Sequence, residues 1–279
     1  MDKKVALYTF FDDAYFEYGF TMLYSFIINN PWFKGDILIL CDNGENSSLS
    51  EENLEKIKRL YNRTCLHKVD ISVYTPVFDN FPGSNRKFIK ACLYKLELFK
   101  KDDYDVKLYI DADGCFHKSV EDLFFHDQLE NALGFMCRDV VSSNYFSNEI
   151  TPKTDDDYAN MGFFVVNGRM LKDTDFEELI NSCQTVKNEM FKNKHSFRGT
   201  YPDQDCLNEF ANNILMLPAL IYNAPAHRVS FDNINNVKIF HYYGLKPWDM
   251  GQNYVSYYVW YKYNFFAMRR LKEITKELT

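Results

Sequence analysis

The stretch VKLYIDADG, residues 106–114, is the part of the sequence that decides the fold prediction. A mostly apolar run with β-branched residues ends in two aspartates one residue apart, which predicts a buried strand followed directly by a polar site. Because alternate side chains of an extended chain point the same way, Asp111 and Asp113 should face one site and Ala112 should point away. Gly114 allows the backbone to turn or to approach a ligand closely.

The two carboxylates of this stretch are suited to a divalent cation. Carboxylate oxygens are the ligands that Mg²⁺ and Mn²⁺ prefer, and substrate phosphates usually complete the coordination sphere. The chain contains five Asp-x-Asp triplets, and only the one at Asp111 follows a strand-like apolar run. The competing interpretation is a solvated loop that follows a core strand.

The stretch HYYGLKPW, residues 241–248, is a second candidate for the same site. His241 ends the apolar run 237–240, and Gly244 and Lys246 follow it closely. An imidazole is a common metal ligand, and a lysine beside it can hold a diphosphate as a point charge. A structural histidine at the end of a strand is the competing interpretation.

Two further elements carry polar residues at their starts. Asn160 and Gly162 begin an apolar run that reaches residue 167, and Asn160 offers both a donor and an acceptor to a hydroxyl-rich ligand. Asp203 and Gln204 begin a helix-like stretch with acids in its first turn. An ordinary core strand and a plain acidic N-cap are the competing interpretations.

The order of elements predicts the architecture. Strands and helices alternate through the first 110 residues, which predicts an α/β fold with a mostly parallel central sheet and helices on both faces. In such sheets ligands bind at the carboxyl ends of the strands, where Asp111 and Asp113 stand. The strand-like runs are 4–11, 36–41, 64–70, 106–111, 132–137, 161–167, 214–217 and 237–241. The helix-like stretches are about 15–29, 50–62, 86–101, 175–193 and 203–213.

Composition limits the class of protein. The 279 residues suffice for one large domain or two small ones. The formal net charge of −7 argues against a general nucleic-acid binder, but it permits phosphate ligands because a metal supplies positive charge locally. The sequence shows no signal peptide, no run of about 18 apolar residues, and no Cys-x-x-Cys pair among its seven cysteines. We therefore expect a cytoplasmic protein without a disulfide framework or a zinc site.

These motifs, taken in order, resemble those of glycosyltransferase family 8, the group that contains glycogenin and the bacterial lipopolysaccharide galactosyl- and glucosyltransferases. The resemblance covers about residues 4–248 and implies the GT-A fold, a single Rossmann-like domain with a metal-binding Asp-x-Asp motif. We therefore divide the chain into a catalytic domain at 1–250 and an aromatic and basic helical tail at 251–279.

The resemblance also implies roles for individual residues. The metal ligands would be Asp111, Asp113 and His241. Residues that match the family's catalytic or sugar-contacting positions are Asp139, Asp203 and Gln204. Residues that match its donor-binding positions are Thr9, Asp12, Tyr15, Lys95, Asp111, Ala112, Asp113, Asn160, Gly244 and Lys246. The closing motif departs from the family pattern, because only Leu245 separates Gly244 from Lys246, which is one residue short.

The activity that the resemblance implies is transfer of a hexose with retention of anomeric configuration. The donor would be UDP-glucose or UDP-galactose, the cofactor Mn²⁺ or Mg²⁺, and the acceptor a glycan or lipid-linked glycan, with a bacterial surface polysaccharide as the expected product. Retention by double displacement needs a carboxylate near the anomeric carbon, for which Asp139 and Asp203 are candidates. In a front-face attack Gln204 would instead stabilise an oxocarbenium-like state. The sequence leaves both routes open.

Two other functions compete with this one. The segment Ile110–Gly114 also resembles the signature of haloacid-dehalogenase phosphatases, although Cys115 replaces the expected threonine and over 100 residues precede a strand that this family places first. A catalytically inactive sugar-nucleotide-binding protein is the second alternative, since fold does not fix function.

The C-terminal tail has a distinct composition. Aromatic residues are dense between 254 and 266, and basic residues follow them. This pattern suits a peripheral contact with the inner face of a membrane that contains anionic lipids. The competing interpretation is a helix that packs on the catalytic domain with its charged end in water.

Overall fold

The structure, a computed structural model, describes residues 3–42, 49–74, 92–142, 144–192, 202–210, 212–244, 246–249 and 254–278, with the backbone alone for 186–192 and 202. The strands are β1 Val5–Phe10, β2 Asp36–Asp42, β3 Thr64–Val69, β4 Val106–Ile110, β5 Gly114–Phe116, β6 Gly134–Arg138, β7 Thr151–Pro152, β8 Ala159–Asn167, β9 Ile214–Leu217, β10 Ala224–Pro225 and β11 Ile239–His241. The α-helices are α1 Phe16–Asn29, α2 Glu51–Leu60, α3 Glu121–Phe124, α4 Asp175–Lys192, α5 Pro202–Phe210, α6 Ala219–Tyr222 and α7 Val255–Leu278.

An eight-stranded sheet in the order β3-β2-β1-β4-β8-β6-β9-β7 forms the centre of the molecule. The strands β3, β2, β1 and β4 are parallel, and β9 is parallel to β6. Strand β8 runs antiparallel to both β4 and β6, and β7 runs antiparallel to β9. The sheet is therefore mostly parallel, with one reversed strand at its centre and one at its edge.

Helices cover both faces of this sheet because its strands alternate apolar side chains between two cores. On β1, Leu7 belongs to a core that includes residues of α1, α2 and α7, such as Phe20, Ile57 and Ile274. Its neighbour Tyr8 belongs to the opposite core, which includes residues of α4 and α5. The predicted α/β architecture is confirmed.

A second, three-stranded sheet in the order β10-β11-β5 lies beside the first. Strand β11 is antiparallel to β5, and His241 is paired with Gly114 in their register. The Tyr242 amide donates a hydrogen bond of 3.0 Å to the Asp113 carbonyl, which extends the connection by one residue. This small sheet brings the two distant motifs of the sequence together.

The predicted strands are all present, but the structure adds short elements and shifts the ends of the helices. All eight predicted strand runs overlap a strand, whereas β5, β7 and β10 are short strands that the sequence did not indicate. The predicted helix at 86–101 lies outside the described residues as far as 91, and its described end forms a 3-10 helix at Tyr94–Phe99. The helix predicted at 203–213 ends at Phe210.

The C-terminal helix α7 packs on the rest of the chain along one side. Its residues Trp260 and Tyr263 join a third apolar cluster that also contains Phe240, and Ile274 enters the core beneath α1. The boundary between a catalytic domain and a tail at residue 250 stays a prediction. Within the described ranges, no helix has the length and apolar character needed to cross a membrane.

Candidate active site

A cavity of about 700 Å³ lies at the carboxyl edge of the central sheet. Phe10 ends β1, Asp111 follows β4, and Asp139 follows β6, so these parallel strands deliver their ends to one edge. Asn160 joins them from the start of β8, since that strand is antiparallel. The cavity is lined by thirteen of the residues predicted for the site: Asp12, Tyr15, Lys95, Asp111, Ala112, Asp113, Asp139, Asn160, Asp203, Gln204, His241, Gly244 and Lys246.

Thr9 is the predicted site residue that the cavity lining does not include. Its side chain is buried near the end of β1, and its hydroxyl has no hydrogen-bond partner in the described part of the chain. The residues after it, Phe10, Phe11 and Asp12, form the wall instead.

The Asp111–Asp113 segment reaches the cavity by a turn and not by extended chain, which corrects the reasoning from alternation. Strand β4 ends at Ile110, and the Gly114 amide donates a 2.9 Å hydrogen bond back to the Asp111 carbonyl. The Asp111 amide is held by the Gly162 carbonyl of β8, also at 2.9 Å. Because the backbone turns, Ala112 lies at the cavity as well.

His241 completes a cluster with these two aspartates. Ligand atoms of Asp111, Asp113 and His241 all lie within 4.8 Å of one another. The Nε2 atom of His241 is 3.2 Å from Oδ1 of Asp113 and 3.7 Å from Oδ2 of Asp111. Two carboxylates and one imidazole form a donor set that suits a divalent cation.

The charges around Asp113 support the same conclusion. Burial by itself would raise the pKa of Asp113, but the adjacent His241 and Lys246 lower it below its usual range. The Lys246 ammonium contacts Oδ2 of Asp113. Oδ1 of Asp113 and Nδ1 of His241 are buried and form no hydrogen bond among the described residues, although this Oδ1 faces Nε2 of His241 at 3.2 Å. Such unsatisfied atoms are costly unless a ligand uses them, so the residues present fit a cation here.

Lys95 lies in the 3-10 helix Tyr94–Phe99, which precedes β4, and its side chain lines the cavity. Its side chain is 5% exposed and lies 3.3 Å from Asp111 and 3.0 Å from Asp203. The ammonium also donates to the Met161 carbonyl at 3.1 Å. Burial would lower the pKa of Lys95, but the two carboxylates outweigh it and hold the pKa well above its ordinary value. Lys95 is therefore charged, and it links Asp203 to Asp111 of the acidic cluster.

A second group, of two side-chain amides and one carboxylate, also lines the cavity. The amide nitrogens of Asn160 and Gln204 donate to Oδ2 of Asp139 at 3.1 and 3.3 Å. The Asn160 amide nitrogen is also 3.5 Å from Oε1 of Gln204. Planar groups with both donors and acceptors are suited to sugar hydroxyls, which need both.

Tyr15 and Gly244 also line the cavity, and Tyr15 contacts an aromatic ring outside the lining. Oδ1 of Asp12 accepts from the Tyr15 amide at 3.2 Å, which fixes the turn before α1. The Trp248 ring stacks on Tyr18 at 3.8 Å and meets Tyr15 edge-on at 6.5 Å. Gly244 has a φ of 75°, which favours glycine. Leu245, the single residue between Gly244 and Lys246 in the shortened closing motif, lies outside the described residues.

Sequence reasoning missed several residues of the site. The Tyr109 hydroxyl donates to Oδ1 of Asp111 at 2.7 Å, and Tyr109 lines the cavity. Its position near the end of β4, two residues before Asp111, was a signal that could have identified it. Asp205 is buried two residues after Asp203, and its Oδ1 accepts from the Tyr158 hydroxyl. Tyr243, Cys92 and Met161 also line the cavity, and each lies inside a predicted element or quoted stretch without having been singled out for the site.

Comparison with known proteins gives the chain its family. The sequence profile described as "Glycosyl transferase family 8" matches residues 7–251. No curated protein matches the chain in sequence. The family match excludes the haloacid-dehalogenase alternative.

Solved structures share the fold at low sequence identity. An active-site mutant of LgtC superposes with a TM-score of 0.68 at 18% identity, over 94% of this chain and 95% of that one. A crystal structure described as the galactosyltransferase LgtC in complex with donor and acceptor sugar analogues gives 0.68 at 17% identity, with the same coverage. The glycosyltransferase GlyE of Streptococcus pneumoniae TIGR4 gives 0.63 at 19% identity, over 99% of this chain and 64% of that one. The chain is a glycosyltransferase of the GT-A fold, and it belongs to glycosyltransferase family 8.

Proposed function

We propose that this protein is a metal-dependent hexosyltransferase that retains anomeric configuration. It would transfer glucose or galactose from UDP-glucose or UDP-galactose to a glycan or lipid-linked glycan of a bacterial surface polysaccharide. The observation that carries the proposal is the cluster of Asp111, Asp113 and His241, whose ligand atoms lie within 4.8 Å of one another. The amide and carboxylate group around Asp139 lines the same cavity, so a diphosphate and its sugar have adjacent partners.

The diphosphate end of the donor would lie at the acidic cluster. A Mn²⁺ or Mg²⁺ ion held by Asp111, Asp113 and His241 would bind diphosphate oxygens and offset the charge of the departing UDP. Lys246 lines the cavity beside Asp113 and adds a positive charge there. Lys95 is buried and paired with Asp111 and Asp203, so its part is to hold these carboxylates in place. Fixed charges of this kind usually supply the largest part of catalysis.

The sugar end of the donor would lie against Asp139, Asn160 and Gln204. In a double displacement the oxygen of Asp139 or Asp203 attacks the anomeric carbon as the bond to UDP breaks, and the acceptor hydroxyl then displaces that carboxylate. Asp203 is already paired with Lys95 at 3.0 Å, whereas the hydrogen-bond donors to Asp139 are neutral amides. In a front-face reaction the Gln204 carbonyl would stabilise positive charge at the anomeric carbon. Both routes give an α-linked product.

The acceptor would approach where the cavity meets the segment after β6. Val140 follows Asp139, is exposed, and lines the cavity. The acidic stretch 148–160 and the stretch 193–202 would contribute to acceptor binding, because acceptor loops vary most. The described segment 148–160 leads into Asn160, and most of the other, 193–202, lies outside the described residues.

A panel of UDP-sugars tests this function. We expect UDP release from UDP-glucose or UDP-galactose that requires Mn²⁺ or Mg²⁺ and that Asp113→Ala abolishes. Asp103→Ala is the matched control, because Asp103 also begins an Asp-x-Asp triplet but its side chain is 92% exposed. UDP binding without release from any donor would support the inactive binding protein instead. Equal release by Asp113→Ala and Asp103→Ala would contradict the proposed site.

We also propose that α7 holds the enzyme peripherally at the cytoplasmic face of a membrane. Tyr258 and Phe265 on this helix are 68% and 65% exposed, while Trp260 and Tyr263 are buried. The helix carries five basic and two acidic residues, in a chain whose formal net charge is −7. Exposed aromatic rings combined with basic residues favour a surface of anionic lipid.

Vesicle sedimentation tests this contact. We expect binding to vesicles of phosphatidylcholine with phosphatidylglycerol, weaker binding to phosphatidylcholine alone, and a loss with the double variant Tyr258→Ser, Phe265→Ser. Phe146→Ser is the matched control, since Phe146 is 70% exposed but lies outside α7. Unchanged binding by the double variant would contradict the proposal.

A further inference from the structure

Asn223 is a buried residue behind the sugar side of the cavity. It follows α6 directly, and its backbone N–H caps that helix by donating to the Ala219 carbonyl at 3.0 Å. Its side chain is 2% exposed and does not belong to the cavity lining. The Asn223 side-chain nitrogen donates to Oδ1 of Asn160 at 2.8 Å. Among the described residues, the side chain of Asn223 has one hydrogen-bond partner, Asn160, because its own Oδ1 has none.

The side-chain amide of Asn160 has one orientation that satisfies its surroundings. Its Oδ1 accepts two hydrogen bonds, from Asn223 at 2.8 Å and from the Gly162 amide at 3.0 Å. Its nitrogen must therefore point the other way, toward Oδ2 of Asp139 and Oε1 of Gln204. The pattern of donors decides which way an asparagine amide faces.

We propose that Asn223 is a positioning residue, which fixes the Asn160 amide so that a donor and not an acceptor faces Asp139. The inference rests on the proposed function, because Asp139 is assigned there to the donor sugar. Without the Asn223 donor, a rotated Asn160 would turn its carbonyl oxygen toward the Asp139 carboxylate. Two acceptors would then face each other, and the group around Asp139 and Gln204 would lose its arrangement. The Gly162 amide alone would oppose that rotation.

Two substitutions separate positioning from simple packing. Asn223→Asp keeps the shape but places a carboxylate against Asn160, which attracts the amide nitrogen and favours the rotated form. Asn223→Ala removes the donor and leaves Gly162 to favour the native form. A positioning role therefore predicts that Asn223→Asp lowers kcat more than Asn223→Ala does. A packing role predicts the reverse, because the alanine removes more volume.

The measurement is metal-dependent UDP release from the preferred UDP-sugar, together with UDP binding by calorimetry. For Asn223→Ala we expect kcat to fall about tenfold while the affinity for UDP stays within about twofold, because one hydrogen bond near the sugar is lost. If Asn223→Asp does not fold, the comparison of kcat with UDP affinity in Asn223→Ala decides the question. Three results would overturn the inference: an unchanged kcat, a loss of UDP affinity equal to the loss of kcat, or a larger defect in Asn223→Ala than in Asn223→Asp. The proposed function would stand in each case, because the wild-type protein turns over. A wild-type protein without turnover would refute the proposed function, and this inference would fall with it.

Discussion

Gly162 leaves the space that the ring of His241 occupies. A Cβ atom added at residue 162 would lie 2.0 Å from Cε1 and 2.5 Å from Nδ1 of that ring. No real Cβ approaches a non-bonded atom so closely, and the pairing of β11 with β5 holds the backbone of His241 in place. The second motif of the sequence therefore depends on a glycine of β8, directly against the ring.

We predict that Gly162→Ala moves the His241 ring and weakens Mn²⁺ binding by about 10- to 100-fold, the usual effect of disturbing the support of a metal ligand. Titration followed by Mn²⁺ electron paramagnetic resonance measures this without any turnover. The control is a double-mutant cycle with His241→Ala. If Gly162→Ala weakens Mn²⁺ binding as much in the His241→Ala background as in wild type, its effect does not pass through the ring.

Lys95 should be essential for stability, since it is the buried cation between two carboxylates. Lys95→Met leaves Asp111 and Asp203 without that charge, and breaking a buried pair in this way costs about 3–5 kcal/mol. Urea denaturation of Lys95→Met measures the loss. Lys172→Met is the control, because Lys172 is exposed.

Adding Asp203→Asn to Lys95→Met should recover part of the lost stability, since it removes one of the unpaired charges. A loss below about 1 kcal/mol for Lys95→Met, as for a surface pair, would show that Lys95 is not the buried counter-charge described.

Asp205 should make the protein less stable as the pH rises through the weakly acidic range. Burial raises the pKa of Asp205 from 3.8 to about 6, and the proximity of Asp203 adds to this, against the opposing hydrogen bond from Tyr158. The folded state therefore holds its proton more tightly than the unfolded state. The resulting penalty is absent below pH 3.8, grows up to pH 6, and is complete above that.

We expect Asp205→Asn to remove this penalty, so that the variant gains up to about 3 kcal/mol over wild type at pH 7 and little at pH 4. Denaturation at a series of pH values measures the difference. Asp173→Asn, at an exposed position, is the control. A difference that is constant between pH 4 and pH 7 would contradict the raised pKa of Asp205.

The cluster of Asp111, Asp113 and His241 could be predicted because Asp111 and His241 stand at the ends of apolar runs. Asp111 follows β4 and His241 is the last residue of β11, and ligands bind where such strands end. The reason given for Asp113 was wrong, because 111–114 is a turn. Turn and extended chain both bring Asp111 and Asp113 to one side, so the sequence pattern did not distinguish them.

Other parts of the site depend on pairing between strands that are distant in the sequence, which the pattern of apolar residues does not predict. Asn160 reaches the cavity because β8 is antiparallel to β4. A buried strand has the same apolar pattern in either direction, so the sequence did not predict this. Strand β5 has three residues, too few for a periodic signal, yet its pairing with β11 places His241 beside Asp113. Asn223 follows a four-residue helix, where nothing in the neighbouring sequence indicates a contact with residue 160.

A crystal of the protein with Mn²⁺ and UDP, measured for anomalous scattering from manganese, tests the central claim most directly. The account predicts one strong peak at bonding distance from Asp111, Asp113 and His241, with UDP diphosphate oxygens as further ligands. A peak elsewhere in the cavity, or a His241 ring turned away from the ion, would contradict it.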